Sequence, residues 1–112
     1  MFDALKNLGG LGELMKQGRA LKEKMKSIQE EMGRKEISAD VGDGRVTATV
    51  NGKFELLKVR IDKAKIDTSN TELMEDLITA AIRAAQAKAA EYMKQEMEKA
   101  AADMGLPPGL LS

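Results

Sequence analysis

The chain has 112 residues, with 18 basic and 18 acidic side chains, no histidine, no cysteine, and three aromatic residues, Phe2, Phe54 and Tyr92. That length sets a single domain, residues 1–112, and a formal charge of zero argues against a strongly cationic nucleic-acid binder. Without histidine or cysteine there are no disulfides, no thiolate metal sites and few routes to a nucleophilic triad, so neither metal nor cofactor is expected.

Along Met1 to Gly12, Leu5, Leu8 and Leu11 recur at three-residue spacing, but Gly9, Gly10 and Gly12 predict a frayed start. The segment lacks the basic start and cleavage site of a signal peptide, and no apolar run of the chain is long enough to span a bilayer. No membrane association is therefore expected, and a cysteine-free chain suits a reducing cytosol. From Leu11 to Met32 the pattern is helical. Leu14, Leu21 and Ile28 occupy one heptad position and Leu11, Gly18, Met25 and Met32 another, a seam of coiled-coil type. Gly18 costs about 1 kcal/mol of helix propensity yet leaves backbone open to close approach. Gly33 is the expected stop.

Period-two patterns follow. Ile37, Ala39 and Val41 alternate with polar residues, Gly42-Asp43-Gly44 turns the chain, and Val46, Ala48 and Val50 alternate with Thr47 and Thr49. Asn51-Gly52 is the dipeptide of a two-residue type I′ hairpin, which would set Val50 against Lys53, Ala48 against Glu55 and Val46 against Leu57. One face of the sheet continues apolar through Val59 and Ile61. The other carries Thr47, Thr49, Phe54 and Leu56 near the tip, with Arg45, Lys58 and Arg60 at the base. Phe54 and Leu56 either meet a second subunit or tuck under the first segment.

Ser69-Asn70-Thr71-Glu72 reads as a capping box with Ser69 at the cap, opening a helix that runs from Asn70 to Met104 and ends near Gly105, ahead of Pro107 and Pro108. Residues 105–112 form a Pro/Gly tail. Leu73, Leu77, Ala80, Ala81 and Ala84 form a narrow apolar face, and beyond Tyr92 the stripe thins, so that end should project from the body. At 1.5 Å per residue the two helices span about 33 and 52 Å, whereas the longest strand candidate reaches about 30 Å. Apolar stripes that outrun their own sheet predict a homodimer, with Phe54, Leu56, Leu73 and Leu77 as candidate contacts.

Matching stretches accumulate in a fixed order: Met15-Lys16-Gln17 through Met25, Ile28, Gln29, Glu30 and Glu31; Gly44, Val46 and Val50-Asn51-Gly52; Val59 and Ile61-Asp62; Glu75-Asp76-Leu77-Ile78 with Ala80-Ala81; and Leu106-Pro107-Pro108-Gly109. In this order and spacing the chain resembles the YbaB/EbfC family of nucleoid-associated proteins over nearly its whole length. The resemblance implies an α+β fold: an α-β-β-β-α subunit with a three-stranded antiparallel sheet and two long helices, paired as an intertwined homodimer. It also implies binding to double-stranded DNA, a cytoplasmic location at the nucleoid, and no catalysis.

The residues themselves are compatible with that. Glu72, Glu75 and Asp76 cluster, but in the first turns of a helix, where capping and the dipole favour acidic residues. Charge is uneven along the chain, with eight basic and five acidic residues over Met1 to Lys35 against four and eight over Asp67 to Ser112. With Lys16 at zero and 100° per residue, Arg19, Lys22 and Lys26 fall at about 300°, 240° and 280°, one arc beside the apolar seam. Glu23 and Glu30 intrude on it, so on charge alone a solvated mixed face reads equally well. Lys94 and Lys99 are weaker candidates among Glu91, Glu96 and Glu98. The rival function is a protein-interaction module whose projecting helices clasp an amphipathic segment of a partner.

Overall fold

The computed structural model describes residues 2–106, with backbone alone for residues 2–10; Met1 and the tail 107–112, including the expected stop at Pro107 and Pro108, lie outside the described residues. The elements are α1 (Phe2–Arg34), β1 (Glu36–Val41), β2 (Val46–Asn51), β3 (Leu56–Ile61) and α2 (Thr71–Asp103). This is the α-β-β-β-α order anticipated above, with the three strands in one antiparallel sheet of order β1-β2-β3. Among the described residues no helix is long and apolar enough to cross a membrane.

α1 begins well before Leu11, and Gly9, Gly10 and Gly12 do not interrupt it. A helical glycine weakens the helix without forbidding it, since its backbone hydrogen bonds can still form. The strands are six residues each, about 20 Å long, and so shorter than the longest expected one. Between β1 and β2 the chain turns through three residues with positive φ, Gly42, Asp43 and Gly44, and the Arg45 N–H closes the turn on the Val41 carbonyl. Ile37, Ala39 and Val41 then lie opposite Val50, Ala48 and Val46. On the other face the Ser38 and Thr49 hydroxyls meet at 2.7 Å.

The second hairpin departs from the expected two-residue turn. Val46 pairs with Ile61, Ala48 with Val59 and Thr49 with Lys58, and the register then slips so that Val50 faces Leu56. The cause is the side chain of Asn51, which is 5% exposed. Its Oδ1 accepts the N–H groups of Lys53 and Glu55, its Nδ2 donates to the Glu55 carboxylate at 2.9 Å, and its own N–H donates to the Glu55 carbonyl. These bonds shape a longer loop in which Phe54, not Gly52, takes the left-handed conformation at φ +67°.

α2 lies across β1 and β2 on the apolar face of the sheet. Ala81, Ala85 and Ala89 recur every four residues, are fully buried, and let the helix sit close over Ala39, Val46, Ala48 and Val50. Its N-cap is Asn70, one residue after the expected Ser69; the Asn70 Oδ1 accepts the Leu73 N–H at 3.1 Å. Ser69 is engaged elsewhere, donating its hydroxyl and its N–H to the Asp67 carboxylate, and these bonds hold the Asp67 pKa below the usual carboxylate range. Replacing Asn70 with alanine should therefore cost about 1 kcal/mol, read as a lower thermal midpoint, while Ser69→Ala should leave the helix end intact.

The molecule measures 78 × 21 × 20 Å, and its radius of gyration of 21.4 Å far exceeds the roughly 13 Å of a compact chain this long. The core is correspondingly thin. Its largest fully buried side chains are Val46 and Val50.

Candidate nucleic-acid interface

Beyond the sheet the two helices run together as an arm. Ile28 and Met32 of α1 pack with Ala100, Tyr92, Met93 and Met97 of α2, and the Lys35 ammonium stands 5.3 Å from the Tyr92 ring centre. Further out, Leu14, Gln17, Gly18 and Leu21 share a pocket with Met104 and Leu106, so the pair is antiparallel. Gly105 at φ +71° makes this possible. Its N–H bonds to the Ala102 carbonyl and the Leu106 N–H to that of Ala101, a Schellman turn that brings Leu106 back onto α1. The far end of α2 thus projects past the sheet as expected, but against α1 rather than alone.

One joint fastens this arm to the sheet. The Gly52 N–H donates to the Met32 carbonyl at 2.7 Å, and the Asn51 amide lies 3.4 Å from the Gly33 carbonyl. The joint explains Gly52. A β-carbon there would fall 2.5 Å from that of Met32 and 2.7 Å from its carbonyl oxygen.

Every residue from Leu11 to Ala20 is exposed, so Lys16 and Arg19 stand free on the outer half of α1, with exposed Lys22 and Lys26 continuing the line. Lys22 and Lys26 also border an open groove of about 430 Å³ whose other walls are Gly18, Leu21, Met25 and Gln29. The four candidates of α1 are therefore brought to one arm. Lys94 is exposed on α2, whereas Lys99 sits apart in the cleft between the helices with Lys24, near Glu31, Glu96 and Asp103. Those carboxylates reduce the field that Lys99 offers an anion. Lys24 was missed in the sequence because it lies near 80° on the helical wheel, away from the arc. Only the antiparallel pairing with α2 gives it a neighbour.

The candidate dimer contacts fall into two groups. Phe54 and Leu56 are 42% and 47% exposed beside Leu57 at 49%, an apolar patch at the β2–β3 loop. Its backbone is braced where the Gln86 amide donates to the Phe54 carbonyl. Leu73 and Leu77 are half-buried, and Leu77 packs into the subunit's own core beside Gly42.

A small antiparallel sheet with one helix laid across it, extended by a two-helix arm that carries a line of cations, defines a helix-armed α+β domain. The chain belongs to the YbaB/EbfC DNA-binding family, whose pattern it matches over residues 7–104. It is 44% identical over 99 residues to a nucleoid-associated protein of Paramagnetospirillum magneticum, across 88% of this chain and 92% of that one. The crystal structure of an uncharacterized protein from Helicobacter pylori, 22% identical, aligns with a TM-score of 0.62 over 76% of this chain and 86% of that chain. At that identity the likeness is one of fold.

Proposed function

We propose that this protein is a non-enzymatic, cofactor-free nucleoid-associated protein of the cytoplasm that binds double-stranded DNA as a homodimer. Phosphate contacts come mainly from Lys16, Arg19, Lys22 and Lys26, with Lys94 and Lys99 secondary. The observation that carries this reading is the exposed line of four cations on an arm held clear of the body, in a chain whose family is a DNA-binding one. Phosphate contacts position a protein without reading bases, and a face with few aromatic residues suits duplex better than stacked single strands.

Two features support the dimer. Among the described residues the side chains with no exposure at all are no larger than valine, and Phe54, Leu56 and Leu57 are left about half exposed. α2 lies over β1 and β2 more than over β3, so the exposed Leu56 and Leu57 at the start of β3 are open to a second copy. Pairing doubles the cation line, and two modest strips held together bind far better than one.

The test is a salt titration of duplex binding by fluorescence anisotropy, with the mass followed by light scattering. Eight phosphate contacts per dimer give a slope of log affinity against log salt near −7, at about −0.9 per contact. A slope near zero, or a monomer that binds as well as the dimer, refutes the proposal.

A further inference from the structure

We propose that the groove on α1 between Gly18 and Gln29 is a docking site for an acidic amphipathic helix of a partner protein, and that this helix and DNA exclude one another. The exclusion rests on the DNA reading above; the groove does not.

The groove is an open furrow along one face of α1, lined by Gly18, Leu21, Met25 and Gln29 and by Lys22 and Lys26; on the helical wheel the two lysines lie together along one side of the apolar residues. From Gly18 to Gln29 it runs about 16 Å along the helix axis, three turns, which exceeds the roughly 10 Å over which a partner helix presents residues i, i+3, i+4 and i+7. Among the described residues nothing lies within 4 Å of where a β-carbon on Gly18 would stand. The bare backbone of this mid-helix glycine lets a second helix approach closely. Toward the N-terminus the apolar band continues through Met15 and Leu11, 55% and 51% exposed. A methionine in the groove adapts to varied partner side chains.

Charge and packing select the occupant. DNA satisfies Lys22 and Lys26 but covers none of the exposed part of the half-buried Leu21 and Met25, because phosphates offer no apolar surface. A second copy of α1 would bring Lys16, Arg19, Lys22 and Lys26 toward their own counterparts. The acidic helix of this chain, α2, already spends its buried stripe, Ala81, Ala85, Ala89, Ala100 and Ala101, within the subunit. A foreign helix with leucines on one face and glutamates flanking them meets both demands, and its glutamates take the lysines that DNA requires.

The probe is a fluorescent 18-residue peptide with leucine at i, i+3, i+4 and i+7 and glutamate beside them, with a scrambled peptide of equal composition as control. Binding to the full-length protein is followed by anisotropy, with and without a duplex. The ordered peptide should bind at least roughly tenfold tighter than the scrambled one. Gly18→Leu adds bulk at the groove, at a position where a β-carbon meets nothing within 4 Å among the described residues, and should weaken the peptide about tenfold while DNA affinity stays within about twofold. Lys22→Gln with Lys26→Gln should weaken both ligands, and duplex should displace peptide. Equal binding of the scrambled peptide, or no effect of Gly18→Leu in a variant whose circular dichroism is unchanged, overturns the proposal. A ternary complex overturns the exclusion. Self-association that Gly18→Leu abolishes, with no peptide bound, assigns the groove to a second copy and also overturns it. Gly18-dependent peptide binding without any DNA binding upholds the groove and refutes the function proposed above.

Discussion

Gly52→Ala is expected to loosen α1 from the sheet and lower the thermal midpoint by roughly 12–20 °C, a loss of about 3 kcal/mol at about 4 °C or more per kcal/mol in a chain of this size. The added β-carbon would stand 2.5, 2.7 and 2.8 Å from the β-carbon, carbonyl oxygen and α-carbon of Met32. None of these atoms is the far end of a flexible side chain, so relief requires the helix to shift. The shift also costs the bond from the Gly52 N–H to the Met32 carbonyl, and overpacking with a lost hydrogen bond accounts for the size of the effect. Gly18→Ala is the matched control. Its β-carbon meets open space, so the better helix former should stabilise by up to about 1 kcal/mol. Thermal melts of the two variants should move in opposite directions; a Gly52→Ala protein melting within a degree or two of the parent would show that the joint yields.

Reversing Lys16, Arg19, Lys22 and Lys26 together to glutamate should abolish duplex binding, with a fall in affinity above about 10³-fold at low salt. In a dimer the change replaces eight positive charges with eight negative ones. All four side chains are exposed, and exposed substitutions usually change stability by less than about 0.5 kcal/mol each. The variant should therefore keep its mass in light scattering and its helix content in circular dichroism. Lys94→Glu with Lys99→Glu should weaken binding less than about tenfold, since Lys99 lies near Glu31, Glu96 and Asp103 and contributes little net field. Duplex binding that persists after the fourfold reversal would move the contact off this arm.

Much of this architecture is legible in the amino-acid order. Alternation at Ile37, Ala39 and Val41 and again at Val46, Ala48 and Val50 gave two strands and the face they share, because a period of two leaves little ambiguity where one side is covered. The family was recognisable from the succession of short motifs, and the family match over residues 7–104 agrees with it. Helical geometry alone places Lys16, Arg19, Lys22 and Lys26 on one arc of the first helix, with the exposed Glu23 and Glu30 among them.

What escaped depended on distant partners. Asn51-Gly52 carries a strong local turn signal, but here the asparagine side chain is committed to Lys53 and Glu55 and the glycine is needed for its missing β-carbon. Seeing that requires knowing that Met32, twenty positions earlier, arrives at the same place. Ser69 and Asn70 are adjacent residues with equal capping chemistry, and the choice between them turned on Asp67 capturing the serine. That Lys24 and Lys99 line one cleft likewise follows from the antiparallel course of the helices.

α2 runs from the sheet to the arm without a glycine or proline anywhere in Thr71–Asp103. One end of this rod carries Ala81, Ala85 and Ala89 against the strands, and the other presents Ala100 to Ile28 and Met32. Inserting or deleting a single residue between Ala89 and Ala100 would turn the far seat by about 100°, and the first helix would miss it. Reach and phase are thus geared together, and a longer or shorter limb is open to this fold only in steps close to whole turns.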